Sequence, residues 1–175
     1  MTQWRSNDAL FLSELHKGYA WQAFVAAFFA CNGLSVHLPD LTVRENVTEV
    51  EAWTRGDLDL RVNGMNVEVK SRNERFTSPE TFPYAKPFVD TVAGYDAKNP
   101  KPVAYVFVSQ ATGCMVALAT YRSTHFTIVR KHDRVRDIDE SFYVCSRDAL
   151  RTMDKLVEYL RRKAVPASIH EENSG

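Results

Sequence analysis

A chain of 175 residues, 45 % hydrophobic and 25 % charged, is long enough for one domain with a sizeable core. Its 22 basic and 22 acidic residues cancel, so bulk charge favours no class of partner, and no stretch approaches the roughly 18–20 apolar residues of a membrane span. Three scattered cysteines, Cys31, Cys114 and Cys145, form no CxxC or Cys/His pattern; they argue against structural zinc or a disulfide framework and read as buried, reduced thiols of a cytoplasmic protein.

In chain order, NDALFLSELH reads as a short helix or turn with Asn7 as its cap. The start MTQWRSND lacks a basic segment followed by an apolar one, so no secretory leader is expected. KGYAWQAFVAAFFACNG is a stronger helix. Ala20, Phe24, Ala27, Phe28 and Cys31 recur at three- and four-residue steps, and Asn32-Gly33 supplies a left-handed stop. Phe24, Phe28 and Phe29 predict that this helix is buried. SVHLPDLTV and ENVTEVEAW then read as extended, followed by the hairpin GDLDLRVNGMNVEVKSR and a Pro-rich loop, TSPETFPYAKP. FVDTV, VAYVFVS, CMVALA, HFTIV and FYVC are further strands, with uniformly apolar AYVFV as the central one. SRDALRTMDKLVEYLRRK closes the fold as a helix capped by Ser146, with an apolar stripe through Leu150, Met153, Leu156, Val157 and Leu160. The expected organisation is α/β: one domain over residues 1–164, a mixed β-sheet flanked by N-terminal and C-terminal helices, with a disordered tail at 165–175.

The hairpin concentrates the chemistry. Asn63-Gly64 tolerates the positive φ angles of a two-residue turn. Counting outward, Val62 faces Met65, Arg61 faces Asn66, Leu60 faces Val67, Asp59 faces Glu68, Leu58 faces Val69 and Asp57 faces Lys70. The register puts every apolar side chain on one face and Asp57, Asp59, Arg61, Asn66, Glu68 and Lys70 on the other. Two opposed carboxylates about 5 Å apart at Cβ destabilise a strand pair. A divalent cation between them relieves that cost, and Mg²⁺ is held this way by one or two carboxylates. The competing interpretation is a solvated hairpin whose charges keep it soluble. Elsewhere the charges segregate: residues 40–60 are mainly acidic and residues 121–136 mainly basic, a distribution that suits phosphodiester chemistry.

KGYAWQAFVAAFFACNGLSV, GDLDLRV and VEVKSR together resemble the first helix, the metal-binding aspartate and the E-x-K strand of the PD-(D/E)XK nuclease superfamily. The resemblance covers about the first 72 residues. It implies a restriction-endonuclease-like fold and a Mg²⁺-dependent nuclease, with Mn²⁺ as a substitute metal, acting on DNA, RNA being the other nucleic acid open to it. Many similar nucleases act as dimers, so a homodimer is one state open to the chain, and the sequence leaves the oligomeric state undecided. Carried over, Asp59 and Glu68 are metal ligands, Lys70 is the catalytic lysine, and Asp57 rivals Asp59. Asp40 of the literal Pro39-Asp40 ranks below both. The glutamate that many members carry on the first helix is missing. Gln22 stands there, with Glu14 in the preceding element, and these two are the candidate supporting residues. Gln22 in place of an acid also supports the alternative of an inactive nucleic-acid-binding or regulatory module. Arg72, Arg75 and Lys86 are candidate DNA contacts.

Overall fold

The computed structural model describes residues 3–40, 59–133 and 138–164. The two N-terminal helical segments form one helix, α1 (Gln3–Cys31), because neither Pro nor a turn signal interrupts them. It ends as the sequence predicts. Leu34 N–H donates to Phe29 O and Gly33 N–H to Ala30 O, the paired bonds of a Schellman stop, with Gly33 at φ +73°. Its burial is narrower than expected. Val25 and Phe29 are in the core and Phe28 packs against it, whereas Phe24 and Cys31 are exposed, which corrects the burial expected of Phe24 and of all three thiols.

Six strands form a mixed sheet in the order β1 (Val36–His37), β2 (Leu60–Val62), β3 (Met65–Arg72), β5 (Ala104–Ser109), β6 (Met115–Ala119) and β9 (Arg151–Thr152). Only β3 and β5 run parallel; the other neighbours are antiparallel. The hairpin register is Leu60↔Val67, Arg61↔Asn66 and Val62↔Met65, as counted from the turn, with Asn63 at φ +49° and Gly64 at φ +77°. All of β5 is buried, as its apolar run predicts. A second sheet holds β4 (Phe88–Thr91), β8 (Ile138–Val144) and β7 (Thr127–Asp133) in that order.

Two elements depart from the sequence expectation. FVDTV is a strand through Thr91, as expected, but its last residue opens a short helix: Thr91 accepts a hydrogen bond from Gly94 N–H and caps α2 (Val92–Ala97). The closing helix α3 is Met153–Ala164, shorter than predicted. Ser146 caps a 3-10 turn at Arg147–Ala149 instead, and β9 intervenes before the helix begins. Leu150 therefore leaves the α3 stripe and packs with the second core.

The core has two halves on opposite faces of the main sheet. Val25 and Phe29 of α1 and Leu156, Val157 and Leu160 of α3 cover Leu60, Val62, Val67, Val69, Val106 and Val108. Phe76, Phe82, Val89, Tyr95 and Cys145 cover Tyr105, Phe107 and Leu118 on the other. Among the described residues, no helix is long and apolar enough to cross a membrane. The extended segment expected over ENVTEVEAW, and the tail at 165–175, lie outside the described residues.

Candidate functional site

Strand alternation sends Val67 and Val69 toward the helices and Glu68 and Lys70 toward the second sheet. At Asn66 and Glu68 the hairpin's polar face is therefore not a solvated one, while Arg61 on the same face is exposed. Glu68 is 4 % exposed, and Asn66 is buried as well. Placing a carboxylate there without compensation would cost several kcal/mol, about the scale of a buried unpaired ion.

Compensation comes from both layers. The second sheet supplies Asp90 of β4, where the pairing with β8 slips between Phe88 and Asp90, a kind of irregularity that re-aims side chains. Lys98 follows from the end of α2, and Tyr105 lies beside Glu68 on β5. Four charges close into a ring of alternating sign. Lys70 Nζ lies 3.6 Å from Glu68 Oε2 and 3.7 Å from Asp90 Oδ1, while Lys98 Nζ lies 3.7 Å from Glu68 Oε2 and 2.7 Å from Asp90 Oδ2. Tyr105 OH donates to Asp90 Oδ2 at 2.8 Å, and its ring lies 5.9 Å from Lys70 Nζ. Lys70 is the most accessible of the four, with 30 % of its side chain exposed.

Asp59 adjoins this ring from just before β2. Its Oδ2 accepts the backbone N–H of Val69 at 2.7 Å, and its Oδ1 accepts Gln22 Nε2 at 2.7 Å. The Val69 bond anchors the carboxylate to β3 beside Glu68. The Gln22 bond ties it to α1.

Protonation follows from burial and charge. Burial pushes the Glu68 carboxyl up to about 7, and the neighbouring Asp59 adds to the rise against the pull of Lys70 and Lys98. Burial raises Asp59 too, opposed by Lys70 and the Val69 N–H. For Asp90 burial is outweighed by Lys70, Lys98 and Tyr105, which hold it below the usual carboxylate range. Lys70 is likewise penalised by burial but kept above its ordinary value by Glu68, Asp90 and Asp59. Three carboxylates face two ammonium groups. The Arg72 guanidinium acts on Asp90 from beyond the ring, and at Asp59 and Glu68 either a proton or a cation relieves the repulsion of the two acids.

The sequence candidates separate accordingly. Asp59, Glu68, Lys70 and Gln22 come together; Asp40 is exposed beyond β1. Asp57 lies outside the described residues, as does the side chain of Glu14 on α1. Arg72 turns inward: it donates to Phe88 O at 2.7 Å and stacks over Phe107 at 5.5 Å, so its guanidinium links β3 to β4. Arg75 and Lys86 are exposed on the loop that follows. Asp90, Lys98 and Tyr105 escaped the sequence reading, because only the packing of the second sheet on the first brings them to β3.

The donor set suits a hard divalent cation, since Asp59 and Glu68 offer carboxylate oxygens whose mutual repulsion it would offset. Among the described residues, no group of three His, Cys, Asp or Glu side chains is gathered as a metal nest. No family model, curated protein or solved structure matches this chain.

Proposed function

We propose that the chain is a metal-dependent nuclease of restriction-endonuclease-like fold that hydrolyses phosphodiester bonds of DNA. The observation that carries this reading is the gathering of two acids and a lysine at β3: Asp59 Oδ2 accepts the N–H of Val69, the residue between Glu68 and Lys70, at 2.7 Å, and Lys70 Nζ lies 3.6 Å from Glu68 Oε2. Asp59 and Glu68, with Asp57 the further candidate, would hold Mg²⁺ or Mn²⁺, which supplies Lewis acidity toward a phosphate oxygen and lowers the pKa of water. Lys70 is the charged group of the ring most open to solvent, and its ammonium counters the negative charge growing on phosphorus. Asp90 holds that ammonium from the opposite side to Glu68, so Lys70 keeps a carboxylate partner when Glu68 turns to a cation. Gln22 fixes the orientation of Asp59 through its amide. Exposed Arg75 and Lys86 are the backbone contacts, and a homodimer would present two such sites to one duplex.

A panel of duplex, branched and single-stranded DNAs and RNAs, incubated with Mg²⁺ or Mn²⁺, tests this. Glu68→Gln and Lys70→Met are each expected to lower cleavage at least about 100-fold, the scale of a lost charge-stabilising or proton-transfer group. Circular dichroism checks that both remain folded. Cleavage that persists in both variants refutes the assignment.

One observation favours a second reading, a nucleic-acid-binding or regulatory module without turnover. Both oxygens of Asp59 already accept protein hydrogen bonds, one from the Gln22 amide. Calorimetric titration with Mg²⁺ discriminates, because that module would show no binding that depends on Asp59 and Glu68.

A further inference from the structure

On the opposite face of the main sheet from Glu68 and Lys70, β6 and α3 border a recess of about 150 Å³. Its floor is small and apolar, with Ala117 and Ala119 of β6 beside Leu156. Tyr121 and Tyr159 form one wall, their rings 5.5 Å apart and tilted by 31°. Tyr121 is 62 % exposed, the largest value among the exposed large hydrophobic side chains. A tyrosine ring left this open gains little from folding, because its apolar surface stays in water.

The rim is cationic. Arg151, Lys155 and Arg162 line the recess, and Lys163 continues it past the tyrosines. Glu158 is the single acid there, and it pairs with Lys155 at 3.2 Å. Arg162 and Lys163 have no salt bridge among the described residues. Their position in the last turn of α3 is itself favourable to the helix dipole, but that effect needs no aromatic wall. Arg161, by contrast, donates to Asn32 O and joins α3 to α1.

We propose that this recess binds single-stranded nucleic acid, with a base stacked on Tyr121 and the flanking phosphates on Arg162 and Lys163. Any base presents a ring face to stack, so the site reads strandedness rather than sequence. A duplex, whose bases are already stacked, can offer only its phosphates. The proposal stands apart from the cleavage reading, since it uses none of the same residues and lies across the sheet from them.

Fluorescence anisotropy of a labelled oligo(dT) at low salt with EDTA tests it without cleavage. Tyr121→Ala is expected to weaken binding fivefold or more while leaving the salt dependence unchanged. Arg162→Ala with Lys163→Ala is expected to lower the slope of log K against log salt by about 1.4, two single-strand phosphate contacts. Glu68→Gln should bind as the native chain does. The proposal is overturned if oligo(dT) fails to bind, or if Tyr121→Ala binds it unchanged. It is also overturned if Tyr121→Ala weakens a duplex equally, or if Glu68→Gln rather than Tyr121→Ala abolishes binding. None of these outcomes bears on metal-dependent cleavage, which the Glu68 and Lys70 variants decide separately.

Discussion

Glu68 meets two opposed demands: its strand places it under the second sheet, and its carboxylate has Asp59 for a neighbour. The result is a carboxyl raised to about 7 from its ordinary value near 4.5. The consequence for stability has a definite sign. Below pH 4.5 both folded and unfolded chains hold the proton, and Glu68 contributes nothing. Between pH 4.5 and 7 the unfolded chain releases it first, so stability falls as pH rises, by at most about 3 kcal/mol, and levels off above 7. Asp59, also raised, acts in the same direction. Asp90, held low, acts oppositely, but its window lies below its ordinary value of 3.8. Melting temperatures recorded from pH 4.5 to 8 should therefore decline in the native chain and decline much less in Glu68→Gln, which has no proton to lose. Parallel profiles in the two proteins would mean that Glu68 ionises normally.

At the scale of elements, the hinge of the site is the passage from β4 into α2. Thr91 Oγ1 caps the helix through Gly94 N–H, and Asp90 Oδ1 accepts Thr91 N–H. A Cβ at Gly94 would stand 2.6 Å from Thr91 Oγ1 and 3.4 Å from Asp90 Oδ1. Gly94→Ala should thus displace the cap, costing about 1 kcal/mol, and loosen Asp90 from Lys70 and Lys98. Urea denaturation measures the first effect, and a fall in metal-dependent cleavage greater than that of Thr91→Ser, which keeps the cap, measures the second. The strand was legible in FVDTV, but the helix after it was not, because the Thr91 cap becomes visible only with the turn beyond it. Leu150 misleads in the same way: it completes a helical spacing, yet Ser146 caps a tighter turn and sends it into the other core. Where backbone chemistry leaves one solution, reading was reliable. Asn63-Gly64 requires positive φ, so the register out to Leu60 and Val67 followed, and Asp59, just beyond it, reaches β3 through the Val69 N–H. Register sorts side chains by face but says nothing of what covers each face. Hence a polar face compatible with solvent turned out to lie beneath a second sheet, and Asp90 and Lys98 went unseen.

The whole molecule is assembled around that covered face. Asp59 is tied to α1 through Gln22, Glu68 and Lys70 belong to the main sheet, and Asp90 and Lys98 come from the layer above. An ion held here would bind only the folded chain, so it stabilises the fold by mass action. Its competitor is the proton on Glu68. At pH 8 the carboxylate is free to accept Mg²⁺, whereas at pH 6 most of it is protonated and binding must expel that proton. A fixed millimolar Mg²⁺ addition should therefore raise the melting temperature more at pH 8 than at pH 6. At pH 6.5, titration in buffers of different ionisation heat should show release of up to one proton per ion, falling toward none at pH 8.5. Glu68→Gln should lose the proton release and most of the thermal shift, and Ca²⁺ offers a check that needs no catalysis. An equal shift at both pH values, or one that survives in Glu68→Gln, would put the ion elsewhere and leave the cluster of three carboxylates and two lysines to hold its layers together by charge alone.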